Sequence, residues 1–543
     1  MNDDSRTALK ALIFAVAVLI SFAVYFYGLG DYGFIDPDEG RYSEIPREMI
    51  ETGDFITPRL NYVKYFEKPP LHYWLTAASF KIFGENEFSG RLFPVLSGLG
   101  CCVLAYVLAL KVTKSRYAAE LSGLMLSSSV LWYAASRINL TDMTLTFFFT
   151  ASMTCYYLWS TENKKLMLLL FYAFMAFAVL TKGLIGVVLP GGIALIHLII
   201  TKQYKKIAPL FSPRAILLFL VIVLPYFIAV CRKNPDFFEF FFIREHFLRY
   251  TTTIHARYEP FWFFIPIIIA GFIPWAGMIW DSMRAVFGKC KIIDRDSGLF
   301  LGLWFFMPLA FFSCSGSKLI TYILPCIPPL AVLTGASMSV FEGKDFRRFI
   351  IISTVIILPV AAAGLILPLI KADPDYNAMA FPAMCLSLTL LTFWAVSLFI
   401  GRSKIIPLVL CVIAALAMYS ASGAFIVEGK LLSRKDSAAL IPSDTDDVVV
   451  YQNLMQGMSW YTKRRTVTAD ALNELEFGAA QEKDPKWFIN NDDLKKLWNS
   501  SRKVIVSSRR KDNDSDALGL REVLGTAPVR EWVTSADIVF ANF

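Results

Sequence analysis

The sequence predicts an α-helical polytopic membrane protein with a small soluble α/β domain after it, and three observations predict it. Of 543 residues, 56% are hydrophobic and only 18% charged, a balance displaced from soluble domains towards membrane proteins. The apolar residues gather into charge-poor runs of helix length. Beyond residue 426 these runs stop, and short β-type segments alternate with polar stretches.

The first run, "ALIFAVAVLISFAVYFYGL" (11–29), carries no charge and is long enough to cross a hydrocarbon layer of roughly 30 Å as a helix. Asp31-Tyr32-Gly33 follows it instead of a small-residue cleavage site, so it reads as an uncleaved first span. Further apolar segments lie near 92–110, 118–135, 143–160, 166–181, 184–200, 215–231, 262–283, 298–313, 319–340, 349–370, 380–400 and 405–425, giving about 13 spans. Connections such as "KVTKSR" (111–116), "TKQYKK" (201–206) and "EGKDFRR" (342–348) are short and basic, which places them in the cytoplasm by the positive-inside rule. The alternate set, including the long segments 30–91 and 232–261, then faces outward. With an odd number of spans, 1–425 forms the membrane domain and 426–543 an outward soluble domain. In the latter, 447–452, 486–491, 503–508 and 537–542 read as strands and 492–501 as a helix.

The net charge of +8 on such a chain points to orientation and anionic lipid, and no basic helix, RNP-type motif or zinc finger points to nucleic acid. The nine cysteines sit mostly inside apolar runs, Cys101, Cys102, Cys155, Cys385 and Cys411 among them, which argues against both a disulfide framework and a CxxC metal site.

"FIDPDEGRYSEIPREM" (34–49) crowds Asp36, Asp38, Glu39, Arg41 and Tyr42 at the outer mouth of the first span, where a carboxylate is costly unless it meets a partner, a cation or a substrate. The competing reading is a helix start, with Asp36 as N-cap and Pro37 in the first turn. In "KYFEKPPLHYW" (64–74), two prolines hold the preceding backbone extended and so aim Glu67 and Lys68; lysine suits a phosphate, glutamate a cation or hydroxyl. Residues 71–83 read as an amphipathic interfacial helix stopped by Gly84, with Tyr73 and Trp74 as an aromatic belt. The stretch 241–264 holds Arg244, His246, Arg249, His255 and Arg257, suited to a lipid-linked phosphate or to interfacial anchoring. Its histidines, with Glu67, are the donors from which a metal site could be built, although no HxxxH or HExxH spacing marks one. Asp142, Lys182, Lys318 and Tyr322 each stand at the outer end of a span; ionisable groups there are functional candidates, with snorkelling as the alternative for the lysines. His197 reads as a packed interfacial residue.

"DPDEGRYSEIPREM" followed by "EKPPLHYW" in the first outer loop of a many-spanning chain resembles the GT-C family of polyprenyl-phosphate-sugar-dependent glycosyltransferases, and most of all its aminoarabinose-transferring branch. The resemblance implies transfer of 4-amino-4-deoxy-L-arabinose from undecaprenyl phosphate to a lipid A phosphate, or of another such sugar to another envelope acceptor, at the periplasmic face of the bacterial inner membrane. It implies a catalytic role for Asp38, with Glu39, Arg41 and Tyr42 beside it and Asp142 at the next outer loop. Lys68, Lys182, Arg249, Arg257, Lys318 and Tyr322 would hold the donor phosphate and lipid, and Glu67 with His246 a divalent metal such as zinc. The expected chemistry is displacement at the anomeric carbon with inversion, in one pocket opening away from the cytosol. Asp38 is a general base if the acceptor is a hydroxyl, and an aligning group if it is an ionised phosphate. A transporter of lipid-linked sugar is the reading outside the enzyme class; the internal symmetry expected of one is not visible.

Overall fold

The computed structural model describes residues 3–248, 259–370, 374–399, 403–452, 455–510 and 515–543; Arg249, His255 and Arg257 lie outside the described residues, as does the side chain of His246. Two compact units divide the chain, Met1–Tyr27 with Phe93–Ala424, and Gly28–Leu92 with Phe425–Phe543. The division differs from the one expected from hydropathy. The first polar loop folds with the C-terminal residues, because its buried polar groups find their partners there.

The first unit is helical. Among the described residues nine helices are long and apolar enough to cross a membrane, and ten if Phe264–Gly271 and Trp275–Val286, bent by 113°, form one span. The remaining expected segments are helices too: Arg116–Ser127 with Val130–Ser136, Thr141–Glu162, and the 16-residue Ile185–Ile200. Thr141–Glu162 was legible despite its many Thr and Ser residues, whose hydroxyls return to backbone carbonyls of the preceding turn, as Thr146 does to Asp142 at 2.8 Å. Close helix packing requires glycine at Gly335, where a Cβ would come within 2.5 Å of Ser122 N. His197 is packed as expected, its Nδ1 2.8 Å from the Tyr156 hydroxyl. All nine cysteines are free.

The second unit contains a six-stranded sheet in the order β5-β4-β3-β6-β8-β7. Its strands are β3 (Asp447–Tyr451), β4 (Val467–Ala469), β5 (Phe488–Ile489), β6 (Val504–Arg509), β7 (Arg530–Val533) and β8 (Asp537–Ala541), preceded in the chain by a hairpin of β1 (Arg59–Leu60) and β2 (Val63–Lys64). β3 to β6 run parallel, while β8 lies antiparallel to both β6 and β7. One face of the sheet is covered by a core including Val449, Val506, Phe540, Leu494 and Trp498, the last two from the helix Asn491–Trp498. The hairpin turns on Asn61 (φ 52°) and Tyr62 (φ 62°), the two left-handed residues of a type I′ turn. Its Asn61 side chain then clamps the edge of β4, donating to Thr466 O at 2.8 Å and accepting from Thr466 N at 3.1 Å.

Candidate active site

The helix Asp38–Thr52 is built from the charged motif and is buried along most of its length, so each buried charge needs an answer. Glu39 meets Arg91 as a fork, Nε to Oε1 at 2.8 Å and Nη2 to Oε2 at 2.7 Å, and its Oε2 also accepts from Ile35 N at 2.9 Å. Glu44 takes Arg47 through both oxygens, at 2.7 and 2.6 Å. Glu48 accepts from Tyr62 N at 2.9 Å. Arg41, also buried, places Nη2 2.7 Å from Glu474 Oε2 and Nη1 3.5 Å from Asp38 Oδ1. Asp38 is different: its side chain is 53% exposed. The charges of the motif therefore fold the helix into place and present one carboxylate outward, backed by a guanidinium.

Several expectations change at this point. Asp36 is not an N-cap, since the residue before the helix is Pro37 and no side chain caps it. The Asp36 carboxylate instead turns inward, accepting from Gly457 N at 2.9 Å with Arg434 Nε 3.4 Å away. Glu39, grouped with the catalytic residues by sequence, has both oxygens committed to Arg91 and braces the helix. Tyr42 lies against His72 (5.6 Å edge to face) and Tyr73 (6.0 Å, stacked), so Tyr73 is buried between helices and does not belong to an aromatic belt. Trp74 donates from its indole to Phe55 O at 2.9 Å. The helix Leu71–Phe83 and its stop at Gly84 (φ 80°) are as expected, with Ile82 and Phe83 exposed at its end.

Glu67 and Lys68 follow the hairpin, with Lys68 Nζ 3.1 Å from Glu67 O and 3.6 Å from its carboxylate. Glu474 also lies within 3.4 Å of the Tyr65 hydroxyl, and burial together with the Glu67 charge raises its carboxyl above the ordinary range against the pull of Arg41. Sequence reasoning missed Glu474, one of two glutamates in "ALNELEFG" with no motif around it. It also passed over Arg91, although an arginine at the head of an apolar run was a readable signal. Among the described residues no three His, Cys, Asp or Glu side chains gather as a metal site.

In the membrane unit, the helices Thr141–Glu162 and Lys165–Lys182 are joined by Asn163 and Lys164 and pack antiparallel. The first turn of one is thereby set beside the last turn of the other, and Lys182 Nζ reaches Asp142 Oδ1 at 2.5 Å. Both charges also complement their helix dipoles. The same ammonium stands 4.4 Å from the centre of the Tyr322 ring, so three residues singled out separately in the sequence converge. Lys318 behaves otherwise. It is buried and donates to the carbonyls of Glu259 and Ser315, both at 2.8 Å, which makes it a loop staple.

A bundle of membrane-spanning helices with an ion-paired lysine at a helix end, and a second unit presenting an arginine-backed aspartate, define a polytopic membrane glycosyltransferase of the GT-C class. Residues 8–241 match the dolichyl-phosphate-mannose-protein mannosyltransferase family and residues 438–512 the aminoarabinose transferase C-terminal domain. Undecaprenyl phosphate-alpha-4-amino-4-deoxy-L-arabinose arabinosyl transferase 2 of Proteus mirabilis is 31% identical over 73% of this chain and 72% of its own. Transferase 1 of that organism is 36% identical over 61% of this chain and 60% of its own length. The crystal structure of ArnT from Cupriavidus metallidurans bound to undecaprenyl phosphate superimposes with a TM-score of 0.85 at 28% identity, covering 99% of this chain and 98% of that one. The chain belongs to the undecaprenyl phosphate-alpha-4-amino-4-deoxy-L-arabinose arabinosyl transferase family.

Proposed function

We propose that this protein moves 4-amino-4-deoxy-L-arabinose from undecaprenyl phosphate to a phosphate of lipid A, at the periplasmic face of the bacterial inner membrane. The relatives' activity and the likeness to a structure holding undecaprenyl phosphate support the donor. The basic connections 111–116, 201–206 and 342–348 support the orientation, since they belong on the cytoplasmic side and put Asp38 and the C-terminal residues on the other. The observation that carries the reading is the contrast within one helix: buried Glu39 and Glu44 have both oxygens committed to Arg91 and Arg47, while Asp38 is presented outward against Arg41.

An oxygen of the acceptor phosphate attacks the anomeric carbon from the face opposite the donor. The bond from that carbon to the undecaprenyl phosphate oxygen breaks, its electron pair stays on the leaving phosphate, and the configuration inverts. No proton need move, because both phosphates are already ionised. Asp38 therefore acts as an aligning group, its carboxylate suited to the sugar's ammonium. Lys182, held at its helix end by Asp142, stabilises negative charge on the leaving phosphate in a region of low dielectric. The test is transfer by the purified full chain from undecaprenyl-phosphate-linked aminoarabinose to lipid A, followed by mass spectrometry. A lipid A mass increased by one aminoarabinose is expected; an unchanged mass with a folded protein refutes the proposal.

A further inference from the structure

A cavity on the membrane unit is lined by none of the candidate site residues. It encloses about 640 Å³ between the helices Asp3–Phe26, Glu87–Thr113 and Arg116–Ser127. Phe14, Val18 and Phe22 form one wall, and Leu96, Val103 and Tyr106 the other. Val18, Phe22, Leu96 and Val103 are exposed, so the cavity opens sideways from the bundle. Leu96 and Tyr106 are ten residues apart on one helix, or about 15 Å at 1.5 Å per residue, close to one leaflet of a hydrocarbon core roughly 30 Å thick.

The two ends of the groove differ in chemistry. One is closed by small hydroxyls, Ser127 Oγ donating to Ser21 Oγ at 3.3 Å and Ser127 O accepting from Tyr25 at 2.9 Å. At the other, the lining residue Glu120 is buried and paired to Arg116 Nε at 2.9 Å, while the Arg116 side chain is 71% exposed. Lys10 stands one helical turn before the lining residue Phe14, as Arg116 stands one turn before Glu120, and the basic connection "KVTKSR" (111–116) borders the same end. An apolar groove one leaflet long thus ends at a cationic rim.

We propose that this groove is a binding site for an anionic diacyl phospholipid of the leaflet next to the 111–116 connection, with an acyl chain along Phe14, Val18 and Val103 and the headgroup phosphate at Lys10 and Arg116. Such a headgroup meets fixed positive charge at the level where phosphates lie, and the chain fills a slot that a zwitterionic lipid could enter only without that attraction.

The test is native mass spectrometry of the full chain, stripped of lipid in detergent and re-equilibrated with phosphatidylglycerol or phosphatidylethanolamine. Retention of one phosphatidylglycerol in preference to phosphatidylethanolamine is expected. Val103→Trp fills the groove from an exposed position and Val18→Trp does so from the opposite wall; each should lower retention about tenfold without changing the melting temperature. Lys10→Gln should leave the groove open and reduce the preference for phosphatidylglycerol severalfold. Equal retention of both lipids, or wild-type retention by both tryptophan variants, overturns the proposal. Displacement of phosphatidylglycerol by stoichiometric undecaprenyl phosphate overturns the assigned occupant.

Discussion

Arg91 and Glu39 lie 52 residues apart and meet with both side chains at 0% exposure, the guanidinium spanning both carboxylate oxygens. The same arginine donates to the carbonyls of Leu29, Tyr32 and Gly33, at 2.8 to 3.0 Å, so it ties the start of the motif helix to the segment that precedes it. Removing one member of a buried pair strands the other, at a cost of about 3–5 kcal/mol. Arg91→Ala should therefore melt well below wild type in detergent. Arg91→Lys, which keeps the charge and loses the fork, should fall between the two. A wild-type melting temperature for Arg91→Ala would show that the pair does not hold the helix.

Asp38 lies next to Glu39 in the chain and is its opposite in environment. Because the Asp38 side chain is half exposed and its ion pair with Arg41 is long at 3.5 Å, Asp38→Asn should leave the melting temperature unchanged. Transfer should fall by about 10²-fold, the scale of loss when a reacting group is no longer held in position. Glu39→Gln should show the reverse pattern, with lost stability and a smaller effect on turnover in the protein that still folds. Wild-type turnover by Asp38→Asn would remove this residue from the site.

How far the sequence was legible follows from what each residue does. Helices of the membrane unit were readable because an apolar run of span length has few other uses, and Asp142, Lys182 and Tyr322 because charge or a phenol at the end of such a run is conspicuous. The strands at 447–452, 503–508 and 537–542 announced themselves by β-branched runs, whereas β4 is three residues long and β7, "REWV", is a mostly exposed edge. What did not show was long-range pairing. Glu474 meets Arg41 across more than four hundred residues, and nothing local in either segment records it. The same blindness hid the fate of Asp36, whose competing reading as an N-cap was plausible locally and is replaced by Arg434 and the Gly457 amide.

Lys182 is expected to affect the donor more than the acceptor. Hydrogen bonds to charged groups contribute about 1.5–3 kcal/mol, so Lys182→Met should raise the donor KM about 10- to 100-fold. Asp142→Asn retains a polar partner and the ammonium charge, and should have a smaller effect. Donor titration at fixed acceptor distinguishes these outcomes. An unchanged donor KM in Lys182→Met would sink the assignment of this lysine to the phosphate.

Asp36 gives the second unit a pH dependence. Burial pushes its carboxyl from the ordinary 3.8 up to about 7, against Arg434 and the Gly457 amide and with help from Asp537, while Arg41 pulls weakly the other way. Between those two values the folded protein binds the proton that the unfolded chain has released, so stability falls as pH rises and the loss is complete above about 7. The melting temperature should therefore drop from pH 5 to pH 8, and Asp36→Asn should flatten that slope. A wild-type slope in Asp36→Asn would assign the dependence to another group.

The Asn61 turn separates backbone strain from side-chain pairing. With φ at 52° the residue occupies the left-handed region, which costs an ordinary residue roughly 1–2 kcal/mol and glycine almost nothing. Its amide also makes two hydrogen bonds to Thr466, each contributing about 1 kcal/mol in a buried setting. Asn61→Gly keeps the turn and loses the clamp, so it should cost about 2 kcal/mol, again on the per-bond figure. Asn61→Ala loses the clamp and strains the turn, and should melt lower still by the difference of about 1 kcal/mol between alanine and glycine in that conformation. Were the two variants to melt together, the positive φ would carry no energetic weight and the side-chain clamp alone would hold the hairpin against β4.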